Sequence, residues 1–431
     1  MNISIDIGTS YSSVCMQGPD KEMISVDVGT GASLFGSKVS LPSAVFATDD
    51  KLLIGQAAMN NRLANPKCFR KNFKRDLGQN FPYDLGGKKY LPEDLYVEFF
   101  RHMRESVEKI SREEIGTVYI TCPATFSNRR KELVLQAAKK ASLDNCAMVE
   151  EPTAAAMYYC GKGYVKDDQT LLTYDFGGGT FDVALVRYED GQFRLLTEPA
   201  GIENCGGIDI DRIIFNDICN KLDEDSRKIL SDTSSSQRMD YARKIKCRME
   251  EMAVQAKEQL SSTQTFTDYL PMGFDMVEYS LSAEELNKMI AQMVEETIRV
   301  CEDLLSKGKI KNREKELSAV LLVGGTSRVP YIQSRVQKFA GSVPVYCAPD
   351  LELAVSMGAL YYNGEEQKKR RLEEIYEKGE DLYQKGKYIE AFQYIREAAE
   401  GGNANAQFRL GYMYMDGRGV KQDYVEAVKW Y

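Results

Sequence analysis

The sequence predicts an α/β protein of two related lobes, followed by an all-α helical-repeat segment. Three observations carry that prediction. Strand-like and helical stretches alternate over the first 360 residues, a glycine-bearing hairpin motif occurs twice, and the periodicity changes after Tyr362.

The first hairpin motif, "DIGTSYSSV" over 6–14, lines up with "DFGGGTFDV" over 175–183 at an offset of 169 positions. Each opens on an aspartate, with glycine two places on, hydroxyl residues next and a valine eight places after the aspartate. Glycines weaken a strand, so they mark a tight turn or backbone that a ligand approaches closely. Peptide N–H groups in such a turn form an anion nest, and a nearby carboxylate holds a hydrated cation. A plain hairpin explains the glycines but not their polar flanks. The repeat therefore predicts two lobes, each offering one hairpin to a charged ligand between them.

Strands are expected at 2–7, 117–122, 170–174, 182–188 and 319–323, and long helices at about 210–230, 237–260 and 282–307. Ser282 and Glu285 have capping-box spacing, which fixes the start of the last helix. "TFTDYLPMGFDMVEYSLS" reads as short strands of a small subdomain. These elements make residues 1–362 one domain. "NGEEQKKRRLEEIYEKGE" predicts a solvated connector helix over 363–376. Over 377–431, "YIEAFQY" matches "YVEAVKW" at a spacing of 36, the signature of stacked helix pairs. Such stacks need about three units. Fewer than two are visible before Tyr431, so further repeats are expected beyond it, or packing of these on the first domain.

A chain of 431 residues exceeds a single core, and its net charge of −8 argues against a nucleic-acid surface. No apolar run approaches the ~20 residues of a membrane helix. The opening "NISIDIG" is strand-like, so no secretory signal is expected, and a cytoplasmic location is. The ten cysteines include no CxxC pair and read as reduced, mostly buried residues. His102, the one histidine, sits in an amphipathic helical pattern and reads as structural, which leaves no Cys/His metal cluster and no Ser-His-Asp arrangement.

"IDIGTSYSSV", "EEPTAAAMYY", "YDFGGGTFDVAL" and "LLVGGTSRVP", in that order over about residues 1–362, resemble the Hsp70 chaperone ATPase domain of the actin and sugar-kinase superfamily. The tail "AAEGGNANAQFRLGYMYMDGRGVKQDYVEAVKWY" resembles Sel1-like repeats, relatives of the tetratricopeptide repeat. The resemblance implies a two-lobed actin-like ATPase of duplicated RNase H-like subdomains, with ATP or ADP in the cleft. It implies that Gly8, Thr9, Ser10 and Tyr11 and then Gly177, Gly178, Gly179 and Thr180 hold the phosphates. It places Mg²⁺, largely through water, among Asp6, Asp175 and Glu151. Lys74 would face the γ-phosphate and attacking water, Asp182 would stand beside that water, and Thr180 would touch the γ-phosphate. Glu151 and Asp175 complete the catalytic set. Gly206, Gly207, Lys257, Ser261, Gly324, Gly325, Thr326 and Arg328 would receive the nucleoside side. Without the resemblance, Lys74 is a surface lysine in a basic run, Thr180 a turn threonine, and Gly324-Gly325 an ordinary strand turn.

Departures from the family pattern bear on function. Val254 and Glu258 stand where the family presents Glu and Arg to the adenosine, while Lys257 and Ser261 match. Loss of a guanidinium from the base face removes ~1–2 kcal/mol of stacking, enough to weaken binding about tenfold or relax base choice. Pro123 matches the family's relay proline, but Lys131 holds the place of its arginine, with Arg129 and Arg130 adjacent. The hydrophobic linker after Tyr362 is missing, and the 74–123 segment is short for the family.

The expected function is an Hsp70-like ATPase that slowly hydrolyses ATP and acts on proteins or peptides through its repeats. A J-protein and an exchange factor are candidate partners, the ATPase domain is expected to be monomeric, and neither nucleic acid nor membrane is an expected partner. Two other readings stand beside it: a nucleotide-sensing scaffold with little turnover, and a small-molecule kinase of the same superfamily.

Overall fold

The computed structural model describes residues 1–18, 23–28, 39–189, 192–362 and 364–430. It divides into two compact units, Met1–Tyr362 and Asn363–Tyr431. The first is the two-lobed α/β architecture, and the second is all helical.

Each lobe is built on one mixed sheet, and the two sheets share a topology. In the first, the order is Cys146–Glu150, Val118–Cys122, Ile3–Ile7, Tyr11–Gln17 and Met23–Ser25. The second runs Val345–Cys347, Ala319–Val323, Gln169–Phe176, Thr180–Glu189 and Gln192–Leu195. In both, the hairpin is antiparallel and its first strand continues into two parallel strands. Asp6 pairs with Ser13, and Asp175 with Asp182, so the 169-residue offset of the sequence is preserved in the register. Val118–Cys122 and Ala319–Val323 are buried at every position, as parallel strands covered on both faces must be.

Each lobe has its own apolar core, around Ile3, Ile5, Phe73 and Phe99 in one and Phe176, Phe181, Met249 and Ile290 in the other. A third core joins both sheets through the helices Glu151–Gly161 and Leu351–Ala359. Gly358 makes their close crossing possible, since a Cβ there would lie 1.8 Å from the Ala154 carbonyl oxygen. Ser356 ties the second helix to the first sheet: Ser4 Oγ donates to its carbonyl at 2.5 Å and Ser13 Oγ to its hydroxyl at 2.9 Å.

Several expectations need adjustment. The helix expected over 210–230 is two, Gly207–Lys221 and Glu224–Ser231, because Asp223 caps the second by accepting the Ser226 N–H at 2.8 Å. The short strands of the small subdomain form one hairpin, Thr265–Met272 with Asp275–Ser282. Ser282 and Glu285 do cap the helix Ala283–Lys307. The connector expected over 363–376 is part of one longer helix, Gly364–Gln384, and residue 363 lies outside the described residues. None of the ten cysteines forms a disulfide among the described residues; five are buried, four half-buried and Cys347 exposed. Burial pushes the Cys15 and Cys122 thiols up to about 12, so both stay protonated. His102 Nε2 bonds the Val28 carbonyl at 2.8 Å, a tie within the first lobe.

The second unit contains the helices Gly364–Gln384, Tyr388–Glu400, Ala404–Asp416 and Tyr424–Trp430, and Tyr431 lies outside the described residues. Its core is Tyr383, Ala391, Ile395, Ala398, Ala399, Ala406, Leu410 and Met413. Small residues dominate because the helices pack closely; a Cβ on Gly379 would lie 2.7 Å from Ile395 Cγ1. Among the described residues no helix is long and apolar enough to cross a membrane.

Candidate functional site

The two hairpin turns meet tip to tip. A Cβ on Gly178 would lie 2.2 Å from Ser10 Oγ, and one on Gly179 would lie 2.4 Å from Thr9 Oγ1. The turns are held from behind. Ser43 Oγ donates to the Gly8 carbonyl at 2.7 Å, and Gly177 N–H closes its own turn onto the Thr180 carbonyl at 3.1 Å. The N-terminus of the helix Gly207–Lys221 donates from Gly207 N to the Gly177 oxygen at 3.0 Å and from Ile208 N to the Gly178 oxygen at 2.9 Å. Thr326 Oγ1 reaches the Gly177 oxygen too, at 2.8 Å. Glycine is required at 206 because a Cβ would meet the Gly178 and Gly179 backbone at 2.7 Å. At Gly324, φ is +75° and a Cβ would lie 2.5 Å from Asp175 Oδ1.

Beneath the turns lies a buried cluster of charge. Lys74 stands on the 3₁₀ turn Phe73–Asp76, entered through left-handed Asn72. Phe73 wedges against Phe99 at 5.0 Å and Tyr96 at 5.6 Å, which aims the neighbouring lysine inward. Lys74 Nζ meets Glu151 Oε1 at 2.9 Å, with both side chains 10% exposed. Glu151 starts a helix, where an acid is favoured by the helix dipole. Asp6 accepts Thr121 Oγ1 at 2.6 Å. Asp175 and Asp182, opposed across one hairpin, are both buried, an arrangement of like charges that costs stability.

The electrostatics follow from that crowding. Burial alone would depress the Lys74 ammonium, but Glu151 and Asp6 outweigh it and hold the group above its ordinary range. Burial pushes the Glu151 carboxyl up to about 7, with Lys74 pulling it down and Asp6 adding to the rise. Asp175 is raised well above the usual carboxylate range by burial and then by Glu151 and Asp182. Burial raises Asp182 as well, opposed by the hydroxyls of Thr180 and Thr125. One lysine thus faces four carboxylates. A divalent cation fits that excess of negative oxygen, and among the described residues no three such groups converge closely enough to hold it directly. Most of its ligands would be water.

A stability prediction follows. A carboxyl whose folded value is raised binds its proton more tightly when folded, so its contribution to stability is present at low pH and lost as pH rises. Asp175→Asn removes that loss, and is expected to raise the thermal midpoint of the ligand-free protein at pH 7. The gain should shrink towards pH 4, where the native carboxyl is also protonated. A midpoint unchanged or lower at pH 7 in differential scanning calorimetry would contradict this account.

The expected site residues converge unequally. Lys257 Nζ pairs with Asp211 Oδ1 at 2.7 Å and donates to the Gly207 carbonyl at 3.3 Å, beside the hairpin turns. Ser261, just past the end of the helix Ser236–Gln259, spends its Oγ on the Lys257 carbonyl in the last turn of that helix, at 3.0 Å. Arg328 donates to the Pro349 carbonyl at 2.6 Å, Gly325 faces open space, and Tyr11 is 47% exposed. Lys131 meets Glu150 at 3.0 Å.

Sequence reasoning passed over Arg75, Asp209, Thr121 and Thr125. Arg75 bonds the Gly179 carbonyl and pairs with Asp209 at 2.6 Å, linking the lobes across the turns. Its only signal was adjacency to Lys74 in "NFKRDLG".

A scan against family models matches the Hsp70 protein family over residues 82–365 and the Sel1 repeat over 374–403 and 404–431. The Sel1 match gives two repeats where fewer than two were expected, the first beginning within the helix Gly364–Gln384. A curated relative, the chaperone protein DnaK of Mycoplasmopsis pulmonis (strain UAB CTIP), is 31% identical over 352 residues, covering 79% of this chain. The aligned segment is 55% of that relative's length, so the chain spans about half of it. With the family match extending over more than half of its residues, the chain belongs to the Hsp70 family.

Proposed function

We propose that the Met1–Tyr362 unit binds and slowly hydrolyses ATP with Mg²⁺, and that its nucleotide state regulates protein binding by the Sel1 repeats, as in a chaperone. One observation carries the reading: a buried lysine, Lys74, paired with Glu151 between Asp6 and the Asp175–Asp182 pair, directly below two glycine turns. Phosphoryl transfer asks mainly for positioning and charge neutralisation, and these residues supply both. A bound Mg²⁺ would neutralise phosphate charge against Asp6, Asp175 and Glu151. The peptide N–H groups of the turns at Gly8–Tyr11 and Gly177–Thr180 orient the phosphates. Lys74 Nζ places its positive charge toward the γ-phosphate and the attacking water, and the Asp182 carboxylate takes up the proton that water releases. Gly206, Gly207, Lys257, Gly324, Thr326 and Arg328 border the nucleoside side.

A J-protein, an exchange factor and a cytoplasmic location belong to the same proposal. Val254 and Glu258 favour a second reading, a nucleotide-sensing scaffold with little turnover. Single-turnover hydrolysis of ATP with Mg²⁺, with GTP titrated alongside, separates the two: Mg²⁺-dependent release of phosphate supports the ATPase, and tight binding without release supports the scaffold.

Nucleotide release gives a further prediction. Arg62 pairs with Glu251, and Lys71 meets Glu250 at 3.3 Å, so two ion pairs bridge the first lobe to the helix Ser236–Gln259 of the second. Such half-exposed pairs contribute about 1 kcal/mol or less each and are screened by salt. Arg62→Ala is expected to speed dissociation of a fluorescent ATP analogue severalfold, with 0.5 M salt narrowing the difference, as the ~4 Å Debye length at that strength implies. Equal rates at low salt would show that the pair does not hold the cleft closed.

A further inference from the structure

The Asp182 carboxylate is 5% exposed and receives one hydroxyl on each oxygen. Thr180 Oγ1 donates to Oδ2 at 2.8 Å from the same hairpin, and Thr125 Oγ1 donates to Oδ1 at 2.9 Å. Thr125 belongs to the other lobe. It lies in the loop between the strand Val118–Cys122 and the helix Asn128–Lys140, two residues beyond buried Pro123. Gly201, opposite Asp182 in register, leaves room for that oxygen, since a Cβ there would lie 3.0 Å from Oδ1. The carboxylate is therefore held by two hydroxyls, and Thr125 is the one that crosses between lobes. Thr121, four residues before Thr125 in the same segment, holds Asp6 in the same manner.

The geometry points to Thr125 as a positioning residue that fixes the Asp182 carboxylate from the opposite lobe, so that this acid is correctly aimed only while the lobes are closed. The inference rests on the ATPase reading, in which Asp182 accepts the proton of the attacking water. A hydroxyl bonded to a carboxylate holds its direction; a valine of the same shape fills the space without holding it. A small misplacement of a reacting group lowers the rate without changing ground-state affinity, so the effect belongs to kcat and not to nucleotide binding.

The test compares wild type, Thr125→Val and Thr125→Ser in the full chain, with single-turnover ATP hydrolysis, nucleotide affinity and amide exchange over residues 124–128. Thr125→Val is expected to slow hydrolysis about tenfold or more. Its ATP affinity should stay within about twofold of wild type, its exchange over 124–128 should rise, and Thr125→Ser should restore most of the rate. A Thr125→Val protein as fast as wild type overturns the inference and leaves the ATPase standing. So does Thr125→Ser failing as badly as valine, because the methyl and not the hydroxyl would then matter. No hydrolysis in the wild type, with exchange still raised by valine, overturns the ATPase reading and this role together, and makes Thr125 a structural tie.

Discussion

Lys74→Ala is expected to slow hydrolysis of bound ATP by about a hundred- to a thousandfold, the loss typical of removing one donor aimed at developing charge. Two consequences must be separated. The first is chemical: among the described residues no other cation pairs with Glu151, and Lys131 is committed to Glu150 at 3.0 Å. The second is structural, because removing one partner of a buried ion pair strands the other and costs ~3–5 kcal/mol. Lys74→Met, with a stem of similar length and no charge, tests whether the cavity or the charge matters. Circular dichroism and nucleotide affinity show whether the folded cleft survives. Both variants binding ATP and neither turning it over is the expected result. Turnover within about threefold of wild type would remove Lys74 from the chemistry.

Gly358→Ala is expected to destabilise the first unit by about 3 kcal/mol or more, as overpacking does where nothing can yield. The sign decides the matter. Glycine in a helix interior is worse than alanine by ~1 kcal/mol, so propensity alone predicts that the substitution stabilises. Here the new Cβ would lie 1.8 Å from the Ala154 oxygen and 2.6 Å from its carbon, and backbone cannot swing aside as a side chain can. The helices Glu151–Gly161 and Leu351–Ala359 would have to part, and Glu151 begins the first of them. Gly325→Ala is the control, since nothing lies within 4 Å of that Cβ. A thermal midpoint raised by Gly358→Ala would show that the close crossing is not a constraint.

The hairpins were legible because their chemistry is local. An aspartate, the glycines and the hydroxyl residues stand within nine positions of one another, and the duplication 169 positions on reinforced them. Lys74 and Glu151 were found by resemblance, since nothing near either residue announces that 77 positions separate the two ends of an ion pair. Arg75 and Thr125 were missed for the same reason: their partners lie 134 and 57 positions away, where only the fold can bring them. The false continuity over 210–230 had another cause. Apolar spacing runs on across Leu222, and the break is set by the single side-chain cap of Asp223. Ser261 shows the converse, a matching residue whose hydroxyl is turned back on the end of the preceding helix.

The paired registers, Asp6 with Ser13 and Asp175 with Asp182, differ at one side chain. A cleft made from two identical hairpins would present the same chemistry to either end of whatever entered it, and a ligand could sit in two orientations. Exchange of a hydroxyl for a carboxylate in one copy breaks that symmetry. At this position the two sides of the cleft therefore differ in charge, with a carboxylate on one strand and a hydroxyl on its counterpart.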